Sequence, residues 1–160
     1  MIVMERQLSV SFHFLKIYMN ASEAPPRCHP HEHSDKEKFN DFMERYLTHG
    51  FGDAEHFPGR LKDSTDVDTN DRQFVFKVQF ARKHKLWHYH IGIPCYECAD
   101  DSSRGDWLSA YLINFQRFSD SYIKLVDLNS HPPFELPDAE YLDGEVGFVK
   151  DRKGHLRVVK

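Results

Sequence analysis

The sequence predicts an α+β domain in which helices pack on an antiparallel sheet, and three observations carry that expectation. Lys85 to Pro94 alternates strictly: Trp87, Tyr89, Ile91 and Ile93 fall on one side and His88 and His90 on the other, the period of a half-buried strand. Ser34-Asp35-Lys36-Glu37 has the spacing of a capping box, and behind it Phe39, Phe42, Met43, Tyr46 and Leu47 recur at three- and four-residue intervals. Two further strand-like runs, Trp107 to Phe118 and Tyr122 to Leu128, follow one another across the short turn Ser119-Asp120.

The 160 residues suit a single domain, 1–160, with 143–160 as a C-terminal hairpin extension. An apolar fraction of 40% excludes a wholly disordered chain, and no apolar run approaches membrane-spanning length. Met1 to Arg6 lacks the basic and apolar pattern of a secretory signal. Three cysteines, an odd count, argue against a disulfide framework and for a reducing compartment, so a cytoplasmic location is expected. A net charge of −4 argues against a globally basic nucleic-acid binder, yet the charge is patchy. Asp63, Asp66, Asp68 and Asp71 form an acidic stretch, and Arg82, Lys83, His84 and Lys85 a basic one of the kind that also suits a helix end.

Along the chain, Leu8, Val10, Phe12 and Phe14 alternate with Ser9, Ser11 and His13, which predicts a first strand from Gln7 to about Lys16. Asn20 to Pro30, rich in prolines, reads as an exposed loop. The capping box then starts a helix that Gly50 ends. Phe51 to Asn70 has no sustained period and reads as irregular. The run Asp71 to His84 fits two templates: Phe74, Phe76, Val78 and Phe80 alternate as in a strand, while Phe74, Val78 and Ala81 also fit a helix. Pro94 to Gly105 reads as a polar loop, and Pro132 to Pro137 must be extended. Gly147 to Lys150 and His155 to Val159 flank Asp151-Arg152-Lys153-Gly154 as a small hairpin.

The order of one strand, two helical segments and three antiparallel strands, from about Leu8 to His131, resembles the RelE/ParE superfamily of toxins from bacterial toxin-antitoxin pairs. Lys85-Leu86-Trp87-His88-Tyr89-His90, Tyr111-Leu112-Ile113-Asn114-Phe115 and Ile123 to His131 carry the resemblance, which is nearest to the YafO-like branch. It implies a RelE-like β-α-α-β-β-β fold, and with it a helix rather than a strand for Asp71 to His84. It also implies a type II toxin: a metal-independent endoribonuclease that cleaves messenger RNA, usually on the ribosome, inhibits translation and is held by a cognate antitoxin. RNA supplies its own 2′-hydroxyl nucleophile, so a site needs a base, an acid and cations around the phosphorane. The expected site therefore places His88 and His90 beside the scissile phosphate, Arg117 on the phosphorane charge and His131 as acid, with Arg82, Lys85 and Lys124 on flanking phosphates. Strand parity puts Arg117 with Tyr111, Ile113 and Phe115, which is also the pattern of a snorkelling structural arginine. His131 equally suits a turn whose imidazole packs.

Three other readings stay open. The acidic balance departs from the basic character of ribosome-directed relatives, which keeps a ParE-like gyrase inhibitor in view. Cys28, His29, His31 and His33, with Cys95 and Cys98, contain enough soft ligands for zinc, although Cys95-x-x-Cys98 supplies only half a knuckle and Pro30 stiffens the other tract. A non-enzymatic interaction module, an exposed sheet docking a protein, is the third.

Overall fold

The structure, a computed structural model, describes residues 5–26, 32–97, 103–130 and 135–159. Its fold is α+β, with one mixed sheet of seven strands in the order β2-β3-β4-β5-β1-β6-β7 among the described residues. In chain order the elements are β1 (Gln7–Val10), α1 (Phe12–Met19), α2 (Asp35–His49), β2 (Leu61–Asp63), α3 (Phe74–Lys83), β3 (Leu86–Glu97), β4 (Leu108–Ser119) and β5 (Tyr122–Ser130). A 3₁₀ turn (Ala139–Leu142) leads to β6 (Val146–Lys150) and β7 (Leu156–Val159).

The expected meander is present: β3 pairs antiparallel with β4 and β4 with β5. Residues directly opposite each other in such a pair point to the same side of the sheet. Tyr89, Ile113 and Leu128 therefore share one face, and His88, Asn114 and Asp127 share the other.

Helix α2 covers the first face. Ser34 Oγ accepts from Glu37 N at 3.2 Å at its start, and Gly50, with φ of 68°, follows its last residue. Its stripe of Phe39, Phe42, Met43 and Tyr46 is buried against Tyr89, Ile91, Ile113, Phe115, Ile123 and Leu125. Phe42 sits at the centre, its ring 5.3 Å from Tyr89, 5.8 Å from Phe57, 6.0 Å from Phe51 and 6.4 Å from Phe115. A smaller cluster lies on the second face, where Ala81 of α3 packs with Leu86, Val126 and Leu142.

Several sequence expectations are corrected. The first strand does not run to Lys16: it stops at Val10, because Ser11 Oγ accepts from Phe14 N at 3.1 Å and caps α1. Alternation through Phe12 and Phe14 is compatible with both structures, and the helix wins by burying Phe14 while Phe12 stays 56% exposed. Phe51 to Asn70 is not wholly irregular, since β2 pairs with β3 as an edge strand. The sheet is mixed rather than antiparallel, because β1 lies parallel to β5. The C-terminal hairpin is no appendage: β6 pairs with the other side of β1, and Phe148 enters the main core. Strand β3 also runs on through Glu97, past the expected loop boundary at Pro94.

Asp71 to His84 is helical, as α3. No described helix is long and apolar enough to cross a membrane.

Candidate functional site

The expected site residues do not gather as one constellation. His88 and His90 project to the second face, but they are buried, 6% and 3% exposed, rather than displayed on an open sheet. His88 Nδ1 lies 2.9 Å from Ser64 Oγ, and His90 Nδ1 lies 3.0 Å from Ser109 O and 3.1 Å from Ser109 N. With Arg60, Lys62, Asp66, Asp68, Asp71 and Leu108 they line a cavity of about 230 Å³. Its cations are matched by carboxylates, Arg60 to Asp106 at 2.7 Å and Lys62 to Asp66 at 3.2 Å. The segment carrying Ser64 to Asp71 thus covers what the strand alternation leaves facing outward, an approach of Ser64 to a histidine 24 positions away that periodicity does not report.

Arg117 stands on the opposite face, which corrects its placement beside the imidazoles. Its guanidinium lies 4.5 Å from the Trp87 ring and 5.3 Å from that of Phe51, and Nη2 donates to Asp120 Oδ1 at 3.1 Å. The parity argument for a structural arginine describes this geometry. Lys124 stays on the second face, where its Nζ donates to Leu142 O at 2.5 Å and burial pulls its pKa down. Arg82 and Lys85 are exposed at the end of α3. His131 lies outside the described residues, as do Cys28, His29, His31 and Cys98.

A different histidine has the geometry that acid-base chemistry needs. His88 faces Asn114 across β3 and β4, and Asn114 faces Asp127 across β4 and β5, so a polar row crosses the second face. At the end of that row Asp127 Oδ1 lies 3.0 Å from His13 Nε2. The carboxylate side chain is 6% exposed and the imidazole 29%, so the pair is anchored inside and reached from outside. Burial pushes the Asp127 carboxyl above its ordinary value, and the hydrogen bond from His13 only partly opposes this. The His13 ring stacks on Tyr141, centroids 3.5 Å apart at an interplanar angle of 4°, which fixes its plane. With Asp127 ionised and the imidazole neutral, Nε2 donates and the lone pair rests on Nδ1.

Three distant segments build this pair. Ser11 stops β1 and starts α1, which brings His13 to the carboxyl end of β1 beside β5: Ser11 N donates to Leu125 O at 2.8 Å and Ser11 Oγ to Val126 O at 3.3 Å. A register irregularity between Asn114 and Phe115 leaves Val126 as the extra residue of β5 and sets Asp127 on the second face. The 3₁₀ turn then supplies Tyr141. The sequence holds one legible signal for this site, a carboxylate inside the apolar run Leu125-Val126-Asp127-Leu128, since a buried aspartate requires a partner. His13 carries none, because it reads as the polar member of an alternating strand.

Asn114, in the middle of the row, is 0% exposed, and neither Oδ1 nor Nδ2 has a hydrogen-bond partner among the described residues.

Among the described residues one group has the donor types and spacing for a metal ion: Asp53, Glu55 and His56, whose candidate ligand atoms lie within 4.8 Å of one another. Both carboxylates are exposed, and Asp53 Oδ1 already accepts from Glu55 N and His56 N at 2.7 and 3.2 Å. This group shares no residue with the cysteine-histidine tracts read from the sequence.

No protein-family model, curated protein or solved structure matches the chain.

Proposed function

We propose that the chain is a toxin of the RelE/ParE kind, a metal-independent endoribonuclease that cleaves messenger RNA, arrests translation and is held in the cytoplasm by a cognate antitoxin. Part of the element order supports this reading: a first strand, then helices, and a meander of three antiparallel strands with β1 lying beside the last of them, while the third helix and the strands β2, β6 and β7 go beyond the expected β-α-α-β-β-β order. The single observation that carries the chemistry is the His13–Asp127 pair, 3.0 Å apart and stacked on Tyr141.

In this reading His13 is the base. Its Nδ1 takes the proton of a ribose 2′-hydroxyl, the oxygen attacks the adjacent phosphorus, and the bond to the 5′-oxygen breaks. A cyclic 2′,3′-phosphate and a 5′-hydroxyl result, the latter protonated by a general acid. His131 keeps that role in the proposal, four positions after Asp127 in the sequence. Asp127 holds the ring orientation and stabilises the imidazolium that forms, as a buried carboxylate behind a catalytic histidine does. Lys124, on the same sheet face, is the cation assigned to a phosphate in this reading. Arg117 has no part in the step.

The test is cleavage of an RNA oligonucleotide by purified protein, together with translation and transcript integrity after induction in cells. His13→Ala is expected to lower cleavage by at least about 100-fold, the scale of lost general acid-base catalysis, with circular dichroism unchanged. Arg117→Ala is expected to leave cleavage within a few-fold of wild type. Wild-type cleavage by His13→Ala removes the dyad from the mechanism. Intact transcripts together with inhibited gyrase, on induction of the wild-type protein, replace the nuclease with a gyrase inhibitor.

A further inference from the structure

The solvent side of α3 combines two features that the acid-base site does not use. From Arg72 to Lys85 the chain holds Arg72, Lys77, Arg82, Lys83 and Lys85 without one carboxylate, in a protein of net charge −4. Asp71 engages Lys77 at 2.6 Å. The other four are exposed, and among the described residues no ion pair ties them to a carboxylate.

At 3.6 residues per turn, positions 75, 76, 79, 82 and 83 of α3 fall on one stripe, and Arg72 lies in the turn just before the helix. Arg72, Val75, Phe76, Gln79, Arg82 and Lys83 are all exposed. Phe76 is 62% exposed, with its ring leaning on Phe80 at 5.8 Å and 26°. Cations near a helix C-terminus are explained by the helix dipole, which covers Arg82 and Lys83. The dipole disfavours Arg72 at the opposite end and says nothing about an aromatic ring left in water.

The buried side of the helix places this stripe relative to the dyad. Ala81 packs with Val126 and Leu142, and their chain neighbours are Asp127 and Tyr141. The stripe and the His13–Asp127 pair therefore belong to the same side of the sheet.

We propose that the outward stripe of α3 is a docking surface for single-stranded RNA. Arg72, Arg82 and Lys83 neutralise phosphates, and Phe76 offers its ring to a base. The occupant follows from complementarity: a polyanion is repelled by an acidic surface and meets a dense positive stripe here, and an exposed ring between cations suits a nucleobase. Seven residues of helical rise separate Phe76 from Lys83, about 10 Å, and Arg72 lies beyond the other end of the helix, room for a few nucleotides. This inference rests on the RNA-directed reading above and deepens it by naming where the strand is gripped.

The experiment measures affinity apart from cleavage. A fluorescently labelled, unstructured RNA oligonucleotide is titrated by anisotropy with His13→Ala protein, at several salt concentrations. Phe76→Ala and Phe76→Leu are each expected to weaken binding about fivefold to a hundredfold, because leucine keeps the apolar bulk and loses the flat ring. The combined Arg72→Ala, Arg82→Ala and Lys83→Ala variant is expected to bind more weakly with a salt slope reduced by about 2, some 0.7 for each phosphate of a single strand that is no longer neutralised. All five substitutions are at exposed positions, and circular dichroism checks the fold.

Unchanged affinity in the α3 variants overturns the docking surface, and if wild-type protein still cleaves, the nuclease reading survives without it. No RNA affinity in any form of the protein overturns the docking surface, and absent cleavage as well removes the nuclease reading with it. Retention of an acidic amphipathic peptide by this stripe, with RNA ignored, assigns it to a protein partner and also overturns the proposal.

Discussion

Adjacent residues of the same strands send their side chains into two different environments. On the face covered by α2, Tyr89, Ile113, Phe115 and Leu125 meet Phe39, Phe42 and Met43 in a continuous apolar cluster. At neighbouring positions, on the other face, His88, Asn114 and Asp127 form a row of groups that are all buried and polar. The first face is held by area removed from water and tolerates little loss of volume. The second buries polar groups beside the smaller cluster of Ala81, Leu86, Val126 and Leu142, a placement that costs stability unless each group is paired.

The sharpest break in this comparison is Phe42→Ala. It removes a ring that touches four other aromatic rings, and a loss of about 3–5 kcal/mol is expected from denaturant unfolding. A loss below about 1 kcal/mol would show that the apolar face is not the stabilising one.

The second face answers to pH. Burial raises the Asp127 carboxyl in the folded state, so folding favours its protonated form. That contribution is fully present below the unfolded carboxylate value, about 4, and is lost as pH rises through the higher folded value. Asp127→Asn cannot ionise and keeps an acceptor for His13. Its stability relative to wild type is therefore expected to rise between pH 4 and neutrality, read as urea midpoints. Parallel curves for the two proteins would mean that the carboxylate is solvated, against the geometry described.

The smallest effect is expected at Asn114. An amide with neither atom paired among the described residues gains little from its polarity, so Asn114→Leu, which repeats its branched four-atom skeleton, should lie within about 1 kcal/mol of wild type or be more stable. A loss of about 2 kcal/mol or more in thermal unfolding would reveal a partner for the amide and a connected network across the row.

Much of the frame was legible before any coordinates. Ser34, Glu37 and Gly50 mark the ends of α2, and its apolar spacing marks the buried face, because cap chemistry and the 3.6 period are local. The meander was legible from one alternating run and two further strand-like ones, and the parity of Arg117 put it on the apolar face, where the structure sets it against Trp87 and Phe51. The candidate site was less legible. His88 and His90 stood out by their pairing in sequence, yet their surroundings come from Ser64, Ser109 and the loop to Asp71. His13 was hidden inside a run that alternation extended too far.

From its residues alone the protein is committed to an α+β fold, to a helix over Asp35–His49 and to strands whose two sides differ, since these follow from interactions within a few positions of each other. What only tertiary structure decided is which polar side chains meet. His13, Asp127 and Tyr141 lie more than 100 residues apart at the extremes, and parallel pairing of β1 with β5, with the extra residue at Val126, brings them together. Hydrogen bonding and hydrophobic burial act on spatial neighbours, and the spacing of residues along a chain carries no record of who those neighbours are.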